Sequence, residues 1–226
     1  MDTNSTPSSI IVRSYQPSDL PACQALFIEG HRGYGNSTSY VDNALATDMA
    51  DIEKNYLQVS GGHWWVAVSP DDNRIVGQIA ILPMRLGHPL YYSQLTGEER
   101  DHICDILRLG VTLDAQRLGV GKELLSTLIN FSHENGYRQI HVTTLTHMNK
   151  ANAFYKKHGF IKGHIDKTPI GGTPENISDE NKSVNNKPTS TIFEVGTIIS
   201  DEDQRLMKLP PTESKFIYVQ HYHRSL

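Results

Sequence analysis

The stretch Gln116-Arg117-Leu118-Gly119-Val120-Gly121 joins an apolar segment typical of a strand to an amphipathic segment typical of a helix. Ile103 to Val111 is rich in leucine and β-branched residues, and apolar residues then recur at helical spacing from Val120 until Asn135-Gly136 ends the pattern. The first N–H groups of such a helix have no acceptor within it and carry part of its dipole, so they attract phosphate oxygens. The hexapeptide therefore predicts a phosphate-binding turn, although a Gly-x-Gly in this place is also often only a tight connection.

Two better-known phosphate motifs do not fit this stretch. A P-loop needs glycine where the chain has Gln116 and serine or threonine where it has Glu123, and a dinucleotide fingerprint needs glycine where it has Leu124. The pattern that remains is Gln/Arg-x-x-Gly-x-Gly/Ala. It resembles the pyrophosphate-binding turn of the GNAT acetyltransferase superfamily, and Arg117 adds a positive charge beside it.

A second motif follows in register. Met148 to His158 is typical of a short helix, and its end together with Gly159-Phe160 is similar to the second coenzyme-binding motif of the same superfamily. The positions that match that motif are Ala151, Phe154, Tyr155, Gly159 and Phe160. Its asparagine is replaced by Met148, so Asn149 and Asn152 are the candidates for the missing amide.

The resemblance implies an α/β (α+β) GNAT fold, with a mixed central sheet of about seven strands, a splayed central strand and helices on both faces. It also implies acetyl-CoA as co-substrate and direct transfer of the acetyl group to an amine in a ternary complex. The residues that it places around the coenzyme lie on the central strand, the glycine turn and the second motif: Leu109, Gly110, Val111, Gln116, Arg117, Leu118, Gly119, Val120, Gly121, Lys122, Asn149, Asn152 and Tyr155.

Acetyl transfer to an amine makes two demands on side chains. An alkylammonium has a pKa of ~10, so a base must remove a proton before the nitrogen attacks. Asp105 falls where many family members carry a catalytic glutamate; alternatively it lies at an exposed strand end or pairs with Arg108. The departing thiolate needs a proton or a strong hydrogen bond, for which the resemblance implies Tyr155, although a tyrosine beside Phe154 could also be plain core.

The acceptor amine is less well defined by the sequence. Arg108 could receive a substrate carboxylate through two hydrogen bonds, and its alternative role is an ion pair with Asp105 or Glu134. Tyr34 and Tyr40 occupy the region that usually shapes the acceptor pocket in this fold. Three hypotheses stay open: an acetyltransferase acting on a small amine or amino acid, a protein lysine or N-terminal acetyltransferase, and a non-catalytic acyl-CoA-binding module.

We expect no metal. His221 and His223 share one face of a predicted strand, but the sequence shows no cysteine, aspartate or histidine partner at ligand spacing.

Composition narrows the class of protein. The chain has 226 residues, a net charge of −4 and two cysteines, and it has no apolar run long enough to span a bilayer. We therefore expect no nucleic-acid or membrane partner, and a cytoplasmic location with the nucleus left open. The resemblance to the superfamily implies a small-molecule amine as substrate. The oligomeric state, including a homodimer, is also left open.

One branch of the superfamily is more similar than the rest. The stretch from Tyr40-Val41-Asp42 to Trp65-Val66-Ala67, and the terminal Phe216-Ile217-Tyr218, resemble the camello-like group, which includes cysteine S-conjugate N-acetyltransferases. Those proteins carry a hydrophobic membrane-inserted segment before the Tyr-Val-Asp stretch, and this chain lacks it.

The expected organisation is a disordered N-terminus over residues 1–9, then a single domain over residues 10–226 with a flexible insertion at about 168–190. A mobile loop is expected at Gly30 to Ser39. The expected strands are Ile10–Tyr15, Trp64–Val68, Arg74–Leu82, Ile103–Val111, Arg138–Leu145, Thr191–Ile199 and Lys215–His221. The expected helices are Asp19–Glu29, Asp48–Leu57, one that begins at Val120, and Met148–His158.

Overall fold

The structure is a computed structural model that describes residues 10–84, 96–170 and 190–226. The predicted disordered N-terminus, residues 1–9, lies outside the described residues, as does most of the predicted insertion at 168–190. The contacts divide the chain into two compact units. The first comprises residues up to Gly33, Thr38–Val142 and Ser225–Leu226, and the second comprises Tyr34–Ser37 and Thr143–Arg224.

The first unit contains most of the helices and the first strands. Its elements are β1 (Ile11–Ser14), α1 (Leu20–Gly33), α2 (Thr38–Ala46), β2 (His63–Val68), β3 (Ile75–Pro83), α3 (Gly97–Asp101), β4 (Ile103–Val111), α4 (Val120–Glu134) and the start of β5 (Gln139–Leu145). A short 3₁₀ helix covers Pro17–Asp19, and a single π-helical turn covers Glu53–Leu57.

The second unit contains the last strands. Its elements are the end of β5, α5 (Asn149–Lys157), β6 (Ile161–Pro169), β7 (Thr191–Phe193), α6 (Asp201–Leu206), a 3₁₀ helix (Pro211–Glu213) and β8 (Phe216–Ser225). β6 pairs antiparallel with both β7 and β8.

The sheet is mixed and has eight strands in the order β1-β2-β3-β4-β5-β8-β6-β7. β1 to β4 pair antiparallel with their neighbours, and β4 pairs parallel with β5. The predicted strands Trp64–Val68 and Arg74–Leu82 are confirmed as β2 and β3, which pair antiparallel.

The sheet has one strand more than the sequence predicted. β6 was missed because Ile161–Pro169 is mostly polar, and its strand conformation depends on backbone pairing to the strands at both sides. The predicted insertion therefore begins two residues too early, since Thr168 and Pro169 still belong to β6. The predicted strand Thr191–Ile199 is also shorter than expected and ends at Phe193.

The helices before β2 also differ from expectation. α1 continues to Gly33 and α2 begins at Thr38, so the predicted loop Gly30–Ser39 is partly helical. The predicted helix Asp48–Leu57 shrinks to the π-helical turn. The side-chain amide of Asn55 donates to the backbone carbonyls of Thr47 and Asp48 and so links this turn to the segment before it.

Two glycines let helices approach the centre of the sheet. A Cβ on Gly77 of β3 would lie 2.8 Å from Cγ1 of Val120 in α4, and a Cβ on Gly110 of β4 would lie 2.6 Å from Cδ2 of Leu26 in α1. Gly77 pairs with Val111, the neighbour of Gly110, and successive residues of a strand face opposite sides. α4 and α1 therefore pack on opposite faces of β3 and β4, as the predicted fold requires.

Candidate active site

The central strand β4 contains a bulge near its second half. Gln78 of β3 pairs with Gly110, and Ala80 pairs with Leu107, so β4 has one residue more than β3 between these pairs. The extra residue lies at Arg108–Leu109, and Arg108 has a positive φ of 54°. Bulges of this kind take backbone groups out of the ladder and redirect side chains, often beside active sites.

The parallel pairing of β4 with β5 covers the first half of β4. It extends from Ile103 and Gln139 to Ile106 and Val142, whereas β4 itself continues to Val111. This is the arrangement expected for a splayed central strand. The bulge lies just before Gly110, and Gly110 itself allows the close approach of Leu26.

The predicted phosphate turn follows the end of β4. Gln116 N–H donates to the carbonyl of Thr112, and the side-chain amide of Gln116 reaches back to the carbonyl of Val111 at 3.4 Å. Arg117 and Gly119 both have positive φ, 72° and 86°, so the chain makes a tight left-handed path into α4. Gln116 thus fastens the turn to β4.

Gly119 is the N-cap residue of α4 and has no side chain that could accept from the first N–H groups. These groups are the ones that a helix leaves without internal acceptors. Arg117 and Lys122 are exposed beside them, whereas Val120 is buried and packs over Gly77. The turn therefore presents backbone N–H groups and two cations to an anion, with Val120 as its anchor.

Asp105 and His141 form a buried pair on the two central parallel strands. The residues are register partners in β4 and β5, Asp105 is 6% exposed and His141 is 0% exposed. Nδ1 of His141 is hydrogen-bonded to Oδ1 of Asp105. Because an ionised carboxylate can only accept, Nδ1 carries the proton when Asp105 is charged.

This pair corrects two interpretations of Asp105. Asp105 does not lie at an exposed strand end, and its partner is His141 and not Arg108. His141 was not among the predicted site residues, although both strands were predicted. Finding it requires the register of two parallel strands, which hydrophobic pattern does not define.

Arg108 pairs with an aspartate that the sequence analysis did not consider. Its Nε and one terminal nitrogen donate to the two carboxylate oxygens of Asp48 at 2.9 and 2.6 Å, and the other terminal nitrogen donates to the Tyr40 hydroxyl at 3.1 Å. The alternative role of Arg108, an ion pair with Asp105 or Glu134, was therefore wrong in both partners. Burial by itself lowers the pKa of Arg108, but Tyr40 and Asp48 more than offset it and raise that pKa.

The surroundings of Arg108 are aromatic. Its guanidinium lies 4.7 Å from the ring centre of Phe27, and the Tyr56 hydroxyl donates to Asp48. His31 packs against Phe27 and Tyr40, with ring centres 4.2 and 5.1 Å apart. Burial, with a smaller effect of the Arg108 charge, lowers the pKa of His31 to about 4, so its imidazole is neutral at neutral pH.

In the second unit, the residues of the second motif pack closely. Tyr155 is buried among Phe154, Phe160 and Tyr222, and burial raises the pKa of its hydroxyl. The amide nitrogen of Asn152 donates to the carbonyls of Leu145, Thr146 and Met148, and its oxygen accepts from Tyr222 at 2.8 Å. Asn152 thus ties α5 to β5 and β8.

The other two predicted site residues of this unit lie at element ends. Asn149 is the first residue of α5, whose N-cap Met148 makes no side-chain cap, so Asn149 is better placed than Asn152 for a coenzyme contact. Tyr34 accepts from His147 through its backbone carbonyl at 3.1 Å, and burial raises the pKa of its hydroxyl.

His221 has partners that the sequence analysis did not find. Its Nε2 lies 3.1 Å from Asp166 on the neighbouring strand β6, and its ring stacks on that of His164 at 3.9 Å. The prediction that ligand-type partners are missing was therefore wrong for His221. His223 instead pairs across the sheet with Ile161.

Within the described residues, no helix is both long and apolar enough to cross a lipid bilayer.

Comparisons with known proteins agree with this geometry. The model of the acetyltransferase (GNAT) family matches residues 31–160. N-acetyltransferase 8 of Homo sapiens is 34% identical over 125 residues, which cover 55% of this chain and 50% of that protein. N-acetyltransferase 8F1 of Rattus norvegicus is 33% identical over 123 residues, covering 54% of this chain and 50% of that protein. The chain thus matches about half the length of these curated relatives, and they confirm the camello-like resemblance.

Solved structures share the fold. A GNAT-family acetyltransferase from Staphylococcus aureus Mu50 superposes with a TM-score of 0.58 at 18% identity, covering 96% of this chain and 99% of that one. YncA of Salmonella typhimurium, solved with its cofactor acetyl-CoA, has a TM-score of 0.56 at 12% identity, covering 97% of this chain and 95% of that one. The family match covers more than half of the sequence, and this chain belongs to the GNAT acetyltransferase family.

Proposed function

We propose that this chain transfers the acetyl group of acetyl-CoA directly to the amine of a small molecule, through a ternary complex. The observation that carries the proposal is the N-terminus of α4. The N-cap residue of α4 is Gly119, which provides no side-chain cap, and the turn before it follows a bulged central strand.

The coenzyme's pyrophosphate would accept from the first N–H groups of α4. Arg117 and Lys122 would add charge, while Gln116 and Val120 would hold the turn in place. The acetyl and pantetheine part would extend along β4 from Leu109 to Val111. Backbone groups that could bind it are expected there, because β4 is bulged and its pairing with β5 has ended. Asn149 is the proposed amide from α5, and Leu118 lies exposed at the rim of the turn.

Asp105 is the proposed base. Its side chain is largely buried, so we propose that the ammonium proton reaches it through a bridging water. The amine nitrogen then attacks the thioester carbon, and the carbonyl oxygen takes the negative charge. His141 would be a positioning residue, because its Nδ1–H holds one oxygen of Asp105 and leaves the other for the proton.

Collapse of the tetrahedral intermediate breaks the carbon–sulfur bond and releases a thiolate. Tyr155 is the proposed donor to that sulfur. Because burial raises the pKa of Tyr155, a hydrogen bond to the thiolate is a better description than full proton transfer. After the attack the nitrogen still carries one extra proton, which passes to the departing sulfur directly or through water. The products are the acetylated amine and CoA as its thiol, with the first proton on Asp105.

The acceptor is proposed to be an amino acid or an amino-acid conjugate. Arg108 would bind its carboxylate, in competition with Asp48, which already occupies two of its donors. The Tyr40 hydroxyl accepts a hydrogen bond from the remaining terminal nitrogen of Arg108 and would line the approach of the acceptor. Tyr34 stays a proposed acceptor-binding residue. A cytoplasmic location stays a prediction, supported by two buried cysteines that are both free, Cys23 and Cys104.

A thiol-release assay tests the acceptor class. Acetyl-CoA is supplied with amino acids, cysteine S-conjugates, polyamines, lysine peptides or peptides with free N-termini. We expect turnover with acceptors that carry a free carboxylate, and loss of that preference in Arg108→Ala. Turnover with peptides alone would favour the protein acetyltransferase alternative.

A second assay separates an enzyme from a binding module. We expect Asp105→Asn to lower kcat by about 10²- to 10⁴-fold, and Tyr155→Phe to lower it by about 10-fold or more, while calorimetric affinity for acetyl-CoA is retained. Acetyl-CoA binding without thiol release for any acceptor would contradict the enzyme and favour a non-catalytic module.

A further inference from the structure

The antiparallel strands β6 and β8 contain a second bulge that is remote in sequence from the glycine turn. Lys162 pairs with Tyr222 and Ile165 pairs with Gln220, so β6 advances three residues where β8 advances two. The extra residue lies at Gly163–His164, opposite His221. His164 and Asp166 are two apart on β6 and therefore share a face.

The bulge brings two imidazoles and one carboxylate together. One ligand atom from each of His164, Asp166 and His221 lies within 4.8 Å of the others. Oδ2 of Asp166 is 3.1 Å from Nε2 of His221, and Oδ1 is 3.4 Å from Nε2 of His164. The side chains of His164 and His221 are 1% and 4% exposed, and that of Asp166 is 20% exposed, which leaves a path from solvent.

These separations start from the two different oxygens of Asp166, and they are close to the edges of the polyhedron around an ion that both carboxylate oxygens hold. Zinc binds imidazole nitrogen and carboxylate oxygen at about 2.0–2.2 Å, so ligand atoms around a tetrahedral ion lie about 3.3–3.6 Å apart. A simple hydrogen bond between nitrogen and oxygen is usually 2.7–3.2 Å long. The His221 contact at 3.1 Å fits either description, but the His164 contact at 3.4 Å fits the metal better.

The backbone around the cluster is held by a buried amide. The side-chain nitrogen of Gln220 donates to the carbonyls of Gly163, His164 and His221 at 2.9–3.1 Å. Gly163 lets β6 lie close to β8 at this point, because a Cβ there would lie 3.4 Å from the carbonyl oxygen of His221. Gln220 thus fixes the position of both histidines before any ion arrives, which lowers the cost of ordering the ligands.

We propose that His164, Asp166 and His221 bind a divalent transition metal of the zinc class. Two histidines and one carboxylate leave a coordination position for water, and the two imidazole nitrogens favour Zn²⁺, Co²⁺ or Fe²⁺ over Mg²⁺ or Ca²⁺. The ion links β6 to β8 and stabilises this strand pair. The proposal does not depend on acetyl transfer.

Metal titration of the full chain tests the site. After dialysis against a chelator, Co²⁺ is added and its visible absorption is recorded, and Zn²⁺ binding is measured by calorimetry. We expect one equivalent with an intense tetrahedral or five-coordinate spectrum, displacement by Zn²⁺, and a higher melting temperature with Zn²⁺.

Three variants separate this cluster from other histidines. Asp166→Asn and His221→Gln are expected to weaken Zn²⁺ binding at least 10-fold and to remove the cobalt spectrum, while His223→Gln, two residues along the same strand, retains both. Circular dichroism checks that each variant folds. If His221→Gln does not fold, Asp166→Asn provides the test. Equal loss in His223→Gln, or no saturable binding by the unmodified chain, would overturn the proposal.

Discussion

The two ends of β4 hold two different kinds of site. At its start, Asp105 and His141 form a buried pair made of side chains on neighbouring strands. After its end, the turn from Gln116 to Gly119 offers exposed backbone N–H groups at the start of α4. The bulge at Arg108–Leu109 lies between them. The first end thus depends on side-chain identity and strand register, and the second depends on backbone conformation.

The largest effect is expected at the buried end. His141→Leu removes the N–H that holds Asp105, and we expect kcat to fall about 10- to 100-fold with little change in the KM for acetyl-CoA. His141→Asn, which can place an amide N–H near the position of Nδ1, should recover most of the loss. Steady-state kinetics of both variants provide the measurement. Equal kcat for the two variants would show that the N–H to Asp105 has no positioning role.

A matched pair of glycines tests the exposed end. Gly119 and Gly136 have φ of 86° and 76°, and a Cβ on either would meet nothing within 4 Å. Gly119→Ala and Gly136→Ala should therefore each cost about 1–2 kcal/mol of stability through left-handed strain. Only Gly119→Ala should weaken acetyl-CoA, by about 10-fold, because its methyl group lies at the anion-binding N-terminus.

Urea denaturation and calorimetry supply the two readouts for this pair. The turn would lose its proposed role if both variants bound acetyl-CoA equally well.

Arg117 separates charge from conformation at the same end. Its φ of 72° is strained for a side chain, so Arg117→Gly should raise stability by about 1 kcal/mol while weakening acetyl-CoA about 3- to 10-fold. Asn73→Gly, at φ 57° in the β2–β3 hairpin, is the control for strain and should leave binding unchanged. The affinities of Arg117→Gly and of the unmodified chain for acetyl-CoA should differ at low salt and become similar at high salt. A salt-independent difference would argue against an ionic role.

The smallest effect concerns the aromatic surroundings of Arg108, between the two ends. His31 has a pKa of about 4 in the folded chain, below the ordinary value of about 6.5 for the unfolded chain. The unfolded state thus binds more protons between these values, so this residue lowers stability as pH falls from about 6.5 to 4. His31→Phe should flatten the stability profile in that window, and His133→Asn, at an exposed position, should not. Urea denaturation across this pH range measures how stability depends on pH. An unchanged slope in His31→Phe would contradict the lowered pKa of His31.

The sequence allowed much of the exposed end to be predicted and little of the buried end. Glycines at fixed spacing between a strand and a helix predict a backbone site, so the turn and α4 were predicted at the right positions. The Asp105–His141 pair and the Arg108–Asp48 pair depend on which residues become neighbours across the sheet or from a preceding turn. Such pairs follow from register and bulges, which the hydrophobic pattern does not define.

The same reasoning explains β6. Its residues Lys162, His164 and Asp166 look like loop sequence, and only pairing with β8 makes them a strand. The partners of His221 come from that strand, so an analysis limited to one strand could not find them.

Backbone amide signals of the turn test the central proposal most directly. Acetyl-CoA is titrated into the ¹⁵N-labelled, deuterated chain, and the signals from Arg117 to Lys122 are followed together with those of Asn73 and Gly136. We predict saturable shifts of the turn signals with acetyl-CoA and CoA, and none with pantetheine, which lacks the pyrophosphate. Turn signals that stay unchanged at saturating acetyl-CoA, or that move equally with pantetheine, would contradict coenzyme binding at the N-terminus of α4.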